Sequence, residues 1–265
     1  MQSKLNSNAV TQIVSCRDDG TSLFGVLIDP DAQTPLECSA KSECCASKGV
    51  DFILVGGTRL GIGSMPRTIE AVVKASNLPV IIVPGIDEPS RIFCKGAIGF
   101  FCPIIVGAKS LELAGGWHLR ASKYVTSMNI QSIPVGYVVV ESGGSTEVER
   151  VVGLPIHHRD DIAKSITTAV TAEMMGAHTI YLEAGSGATY PIDIDMIQAV
   201  RESTAIPMIV GGGLRSPEEI SERVKAGADI VIVGNVLEEK WDEMLLEEMV
   251  NAVAIGAKKN KAQAK

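Results

Sequence analysis

The chain has 265 residues, 46% hydrophobic, 21% charged and only 4% aromatic, with 31 acidic against 24 basic side chains and a formal net charge of −7. That balance excludes a general nucleic-acid binder, so an anionic ligand has to be held locally, by backbone N–H groups, a metal or a few basic residues. No apolar run reaches the ~18–20 residues of a membrane span. The polar stretch 1–10 has no signal-peptide core, and a cytoplasmic protein is expected.

Taken in order, residues 6–17 predict a short helix. Leu23–Ile28 is the first apolar run, ending in Asp29-Pro30-Asp31. Helix Pro35–Lys48 follows, stopped by Gly49. Strand two, 51–55, ends in Gly56-Gly57-Thr58 and leads into a helix over 66–76. Strand three, 79–83, ends in Pro84-Gly85, and a weak helix lies around 88–94. Strand four spans 98–105, with a helix over 110–126 interrupted at Gly115-Gly116.

Strand five, 133–140, ends in Glu141-Ser142-Gly143-Gly144, and 145–158 reads as a loop. A helix over 160–175 closes at Gly176. Strand six, 179–182, leads into Glu183-Ala184-Gly185-Ser186-Gly187 and a helix over 192–202. Strand seven, 208–210, ends in three glycines; Ser216 is then a good N-cap, with Pro217 at the first helical position. Ile230–Val233 is strand eight, ending in Gly234-Asn235. The last helix is expected over 237–255, with a basic, frayed tail at 258–265.

Eight strands alternating with helices predict a parallel α/β fold, a single-domain (β/α)8 TIM barrel over 1–265 with an N-terminal helical extension at 1–20. Internal echoes agree: K-G-V-D-F-I-L-V-G-G at 48–57 resembles A-G-A-D-I-V-I-V-G-N at 226–235. A doubly wound open sheet is the alternative, but no G-x-G-x-x-G follows strand one.

In such a barrel the chemistry sits at the C-terminal ends of the strands. The glycine-ended exits of strands seven and eight expose neighbouring N–H groups suited to a phosphate. The exit of strand six adds Gly185 and Gly187 for close backbone approach, the Ser186 hydroxyl, and Glu183, a carboxylate suited to take a proton from a substrate hydroxyl. Tyr181 points to the same ligand or to the core. Asp29, with Thr58 beside it, suits an oxygen-loving ion such as Mg²⁺; Asp31 more simply caps the first helix. Arg59, Arg67 and Lys109 follow strands two and four. At most half of Phe100, Phe101, Ile104 and Ile105 can face a site, because strand side chains alternate.

The four histidines, His118, His157, His158 and His178, have no triad or zinc pattern and are read as non-catalytic. Trp117 and Trp241 are placed on helices. The six cysteines, Cys16, Cys38, Cys44, Cys45, Cys94 and Cys102, form no C-x-x-C pair and read as reduced, mostly buried thiols.

I-D-P-D at 28–31, V-G-G-T at 55–58, G-Y-V-V-V-E at 136–141, Y-L-E-A-G-S-G at 181–187, V-G-G-G-L-R-S-P-E at 210–218 and V-G-N at 233–235 resemble the geranylgeranylglyceryl phosphate synthase family along essentially the whole barrel. Y-L-E-A-G-S-G is the specific element. The resemblance implies a prenyltransferase that joins a polyprenyl diphosphate to the 3-hydroxyl of sn-glycerol 1-phosphate in ether phospholipid biosynthesis, with Mg²⁺. It implies that Asp29 and Thr58 hold the metal. Tyr181, Leu182, Glu183, Ala184, Gly185, Ser186, Gly187, Gly212, Gly213, Gly234 and Asn235 would bind glycerol phosphate, with Glu183 catalytic. A homo-oligomer, dimer or hexamer, is also implied.

Ala32 stands where many relatives have lysine, and E-S-G-G replaces E-P-G. Donor length stays open between geranylgeranyl and heptaprenyl. A sugar-phosphate isomerase barrel is the other enzymatic reading; it needs a carboxylate partner for Asp29 across the barrel, with Glu141 the candidate. A phosphate-ester-binding scaffold would leave Asp29 and Glu183 without a task.

Overall fold

The structure, a computed structural model, describes residues 2–58, 60–85, 87–143 and 154–263. An N-terminal helix α1 (Gln2–Ser15) precedes the units β1 (Leu23–Ile28) and α2 (Pro35–Lys48), β2 (Phe52–Gly56) and α3 (Met65–Ala75), and β3 (Val80–Val83) and α4 (Pro89–Ile92). Next come β4 (Gly99–Ile104), a π-helical turn (Glu112–Gly116) and α5 (Trp117–Met128), then β5 (Gln131–Val140) and α6 (Ile162–Met174). The last third holds β6 (Thr179–Glu183), α7 (Ile194–Ser203), β7 (Met208–Gly211), α8 (Pro217–Ala226), β8 (Ile230–Val233), α9 (Asn235–Glu239) and α10 (Glu243–Gln263).

The eight strands are hydrogen-bonded in parallel around a closed ring. β1 meets β8 with Leu23 opposite Ile230, and β4 meets β5 with Gly99 opposite Gln131. The predicted barrel is therefore the observed one, and the open sheet is excluded.

Alternation sorts the apolar residues into two cores. Phe52, Leu54, Ile81, Phe101, Ile133, Tyr181, Ile209 and Ile232 fill the barrel interior. Val26, Ile53, Val55, Val138, Leu182, Val210 and Val233 face outward beneath the helices. Interior space is rationed residue by residue: a Cβ on Gly25 would lie 2.5 Å from the Phe52 ring, so the glycine makes room for it. Ala9, Val10 and Ile13 of α1 join the interior core at the N-terminal ends of the strands and close that end.

Local signals explain the helix boundaries. Thr34 and Glu37 form a capping box at α2, and Ser216 and Glu219 form one at α8. Gly49 ends α2 in the left-handed region at φ 85°. The two echoed segments share a further device. The Asp51 carboxylate accepts the Phe24 N–H at 2.7 Å, and the Asp229 carboxylate accepts the Met208 N–H at 2.8 Å. Each aspartate stands at the entrance of one strand and latches the strand before it.

Four details differ from expectation. The region read as a loop contains a two-residue strand, Ile156–His157, lying parallel to Val139 and Val140 of β5; residues 144–153 lie outside the described residues. Helix 110–126 is interrupted at Gly115 as expected, but the piece ahead of α5 is a π-helical turn. The last helix is also divided, so Trp241 sits in the link between α9 and α10, where Lys41 lies 5.1 Å over its ring. Finally, α10 stays helical to Gln263, well into the segment expected to fray.

Ile13 is 1% exposed in the interior core. Replacing it with alanine should cost about 2–4 kcal/mol in urea unfolding. A loss below about 1 kcal/mol, the scale of a partly exposed methylene, would show that α1 does not seal the barrel.

Candidate active site

Because the strands are parallel, their exits share one face, and one cavity opens there with three unlike sides. The first is made of glycine. Gly185 and Gly187 after β6, and Gly212 and Gly213 after β7, all have φ between 71° and 94°, the left-handed region open to glycine. Space makes the same demand: a Cβ on Gly212 would lie 2.8 Å from the Gly185 nitrogen and 2.9 Å from Glu183 Oε1. Asn235, following Gly234 at the end of β8, accepts the Gly187 N–H on its Oδ1 at 3.0 Å. Its side chain also meets the Ser186 hydroxyl at 3.2 Å. The exits of β6, β7 and β8 thus form one continuous rim.

Glu183 lies behind this rim, 8% exposed. Its Oε1 accepts the Gly185 N–H at 2.7 Å, and the Tyr181 hydroxyl hydrogen-bonds its carboxylate. Burial pushes the Glu183 pKa up, while those two hydrogen bonds pull it back. Tyr181 packs edge-on against Phe101 and Tyr137, with ring centroids 6.3 and 5.4 Å apart. Leu182 and Ala184 differ from their neighbours. Both side chains face the outer core, so they can meet a ligand only through their backbone.

Oxygen ligands make the second side, at β1 and β2. Asp29 and Thr58 both line the cavity. The Asp29 carboxylate lies so close to the Gly57 backbone that a Cβ there would come within 2.8 Å of Oδ2. Glu238 of α9 also lines this side, and its Oε1 accepts the Asp29 backbone N–H at 3.1 Å. Burial pushes the Glu238 pKa up, and the hydrogen bond from the Asp29 N–H pulls it partly back. All these donors are oxygens, which fits a hard cation such as Mg²⁺. Among the described residues no group of three or more His, Cys, Asp or Glu is placed to hold a metal. A cation here would therefore need oxygens from a substrate or water, as Mg²⁺ usually does.

Asp31 does not cap α2, contrary to the simpler expectation; Thr34 does. Its carboxylate accepts the N–H groups of Gly61, at 2.6 Å, and Gly63 instead, tying the β1 and β2 exits together.

The third side is apolar, formed by Leu54, Val83, Phe101, Pro103, Ile105 and Leu113, with Trp117 beside them. Phe100 and Ile104 face outward, as alternation requires. Among the described residues Arg215 is the only lysine or arginine lining the cavity, and it pairs with Glu239 at 3.3 Å. Arg67 and Lys109 are exposed and do not line it; Arg59 lies outside the described residues. Glu141 pairs with His158 at 3.3 Å and does not line the cavity, so it is not the carboxylate partner for Asp29 that an isomerase would need. His157 is buried between the Ser165 and Thr168 hydroxyls, at 3.0 and 3.4 Å, and burial lowers its pKa.

Glu112, Tyr137 and Glu238 line the cavity but escaped the sequence reading. Tyr137 could be found by alternation, since it stands two residues after inward-facing Val135. Glu238 carried a fainter signal: it lies three residues after Asn235, on the same side of one helical turn.

Comparison with known proteins agrees with this geometry. The PcrB family profile matches residues 19–253. The geranylgeranylglyceryl phosphate synthase of Chitinophaga pinensis is 31% identical over 255 residues, covering 96% of this chain and 98% of that protein. The one from Spirosoma linguale is 36% identical over 236 residues, covering 88% and 92%. The crystal structure of (S)-3-O-geranylgeranylglyceryl phosphate synthase from Thermoplasma acidophilum, in complex with its substrate sn-glycerol-1-phosphate, superposes with a TM-score of 0.83 at 32% identity, covering 92% of this chain and 96% of that one. With a family match along most of its length and synthases aligned nearly end to end, the chain belongs to the PcrB family, among the geranylgeranylglyceryl phosphate synthases.

Proposed function

We propose that this chain is a prenyltransferase that joins geranylgeranyl diphosphate to the 3-hydroxyl of sn-glycerol 1-phosphate and releases diphosphate. One observation carries the reading: a single cavity places glycine exits beside a buried carboxylate, oxygen ligands next to them, and an apolar wall opposite. These three sides match a phosphate ester with a free alcohol, a diphosphate and a hydrocarbon tail. The relatives' names and the bound substrate in the Thermoplasma structure support the same assignment.

In this reading the backbone at Gly185–Gly187, Gly212–Gly213 and Gly234–Asn235 holds the ester's phosphate and so fixes its hydroxyl beside Glu183. As the new ether C–O bond forms, the bond between the allylic carbon and the diphosphate oxygen breaks, and the hydroxyl proton passes to Glu183. Burial raises the carboxylate's proton affinity, which suits that role, and Tyr181 keeps the carboxylate oriented. Asp29 and Thr58 would hold Mg²⁺, which when bound stabilises the departing diphosphate. The chain acts in the cytoplasm as a homo-oligomer, dimer or hexamer. Exposed Leu36, Leu119 and Met174, at 80%, 78% and 82%, support association, and light scattering tests it.

Incubation with sn-glycerol 1-phosphate, Mg²⁺ and labelled geranylgeranyl diphosphate should yield the ether product. No product from any donor would sink the assignment, and a higher kcat/KM for heptaprenyl diphosphate in a chain-length series would reassign the donor. Glu183→Gln should lower kcat by about a hundredfold or more, with little change in glycerol phosphate binding; unchanged turnover would remove Glu183 from the mechanism. Asp29→Asn should raise the Mg²⁺ requirement, and superimposable metal titrations would refute its role.

The Glu183 carboxyl also sets a pH dependence. Its folded pKa is raised above its unfolded one, so ionisation opposes folding, and stability is lost as pH rises from the ordinary value of 4.5 through the raised one. Relative to wild type, Glu183→Gln should therefore gain thermal stability over that window. A pH-independent difference in Tm would contradict the burial effect.

A further inference from the structure

The five-residue helix α9 touches both halves of the cavity. At its first residue, Asn235 holds the Gly187 N–H at 3.0 Å, on the glycine side. One turn later, Glu238 holds the Asp29 N–H at 3.1 Å, across the seam where β8 closes on β1. The helix is itself fastened from outside, since Lys41 of α2 donates to the Leu237 carbonyl at 3.3 Å. Glu238 lines the cavity and is largely withdrawn from water, a costly place for a carboxylate with no assigned task.

We infer that Glu238 is a positioning residue for the metal side of the site: by fixing the backbone at Asp29, it aims the Asp29 carboxylate into the cavity. This inference rests on the metal role proposed above for Asp29. The exit of β1 turns sharply at Asp29-Pro30-Asp31. Within that turn Asp29 Oδ1 also accepts the Asp31 N–H at 2.8 Å. Turn and carboxylate therefore move together, and the bond from Glu238 ties them to α9, whose first residue holds the glycine rim. Without it, the β1 exit keeps its internal turn but loses this tie to α9. The task asks only for a hydrogen-bond acceptor, so the amide oxygen of glutamine can fulfil it.

The test is direct Mn²⁺ binding to the full chain by electron paramagnetic resonance, without prenyl donor, beside calorimetric binding of sn-glycerol 1-phosphate. Glu238→Ala should weaken Mn²⁺ binding by about tenfold, the lower range for a lost outer-shell partner, and leave glycerol phosphate binding unchanged. Glu238→Gln should restore wild-type Mn²⁺ binding. Glu238→Asp, one methylene too short to reach the Asp29 N–H, should behave like the alanine variant and serves in its place if that variant fails to fold. Wild-type Mn²⁺ affinity in the alanine and aspartate variants would overturn the inference, as would equal weakening of both ligands, the mark of general disorder. A glutamine variant as weak as alanine would also overturn it, since the charge would then be needed for ligation. Asp29→Asn separates the two layers: unchanged Mn²⁺ binding there defeats the metal reading itself, whereas weakened binding there with wild-type Glu238→Ala defeats only the positioning role.

Discussion

Glu183 is withdrawn from water at the end of β6, and burial works against its charge. Two donors make that position tolerable, the Gly185 N–H and the Tyr181 hydroxyl. Much of the surrounding architecture follows from satisfying them. Tyr181 must point inward, so its ring becomes part of the barrel's interior packing, wedged against Phe101 and Tyr137. Gly185 must bend back over the carboxylate, which places it in the left-handed region. Gly212 must then carry no side chain, because the next exit passes within contact distance of both groups. One buried charge thus propagates through two loops and an aromatic layer.

Among the described residues, the site is poor in positive side chains. Arg215 is the lone lysine or arginine among the described lining residues, and it is engaged by Glu239. In the proposed reading, a chain of net charge −7 that takes anionic substrates in such a pocket would rely on backbone N–H groups and on a cation brought with the ligand. Backbone donors are rigid and cost no side-chain entropy on binding. They would also hold a phosphate at a fixed distance from the barrel floor, which a flexible lysine would not.

The barrel was legible because its signals are periodic and local. Apolar β-branched runs, glycine stops and the proline-led helix starts at Pro35 and Pro217 each act within a few residues. The glycine exits were legible for the same reason, as were Asp29 and Thr58 as neighbours at the rim. What escaped was set by contacts distant in sequence. Ile156–His157 is a strand only because Val139 and Val140 lie beside it. The carboxylate of Asp31 is spent on Gly61 and Gly63, some thirty residues on, where local rules favoured a helix cap. Leu182 and Ala184 belong to a motif whose alternate members point the other way, which a contiguous reading cannot separate. Glu238 matters through Asp29, 209 positions earlier.

The aspartates at the strand entrances have a consequence for how the chain is made. Asp51 reaches back to Phe24, and Asp229 reaches back to Met208. In both cases the amide belongs to the preceding strand, so during synthesis it has left the ribosome before the carboxylate that will hold it. Registration of these pairs needs nothing from downstream, and the growing sheet can set its alignment as it emerges. Only the final seam, between the last strand and the first, must wait until β8 itself has emerged.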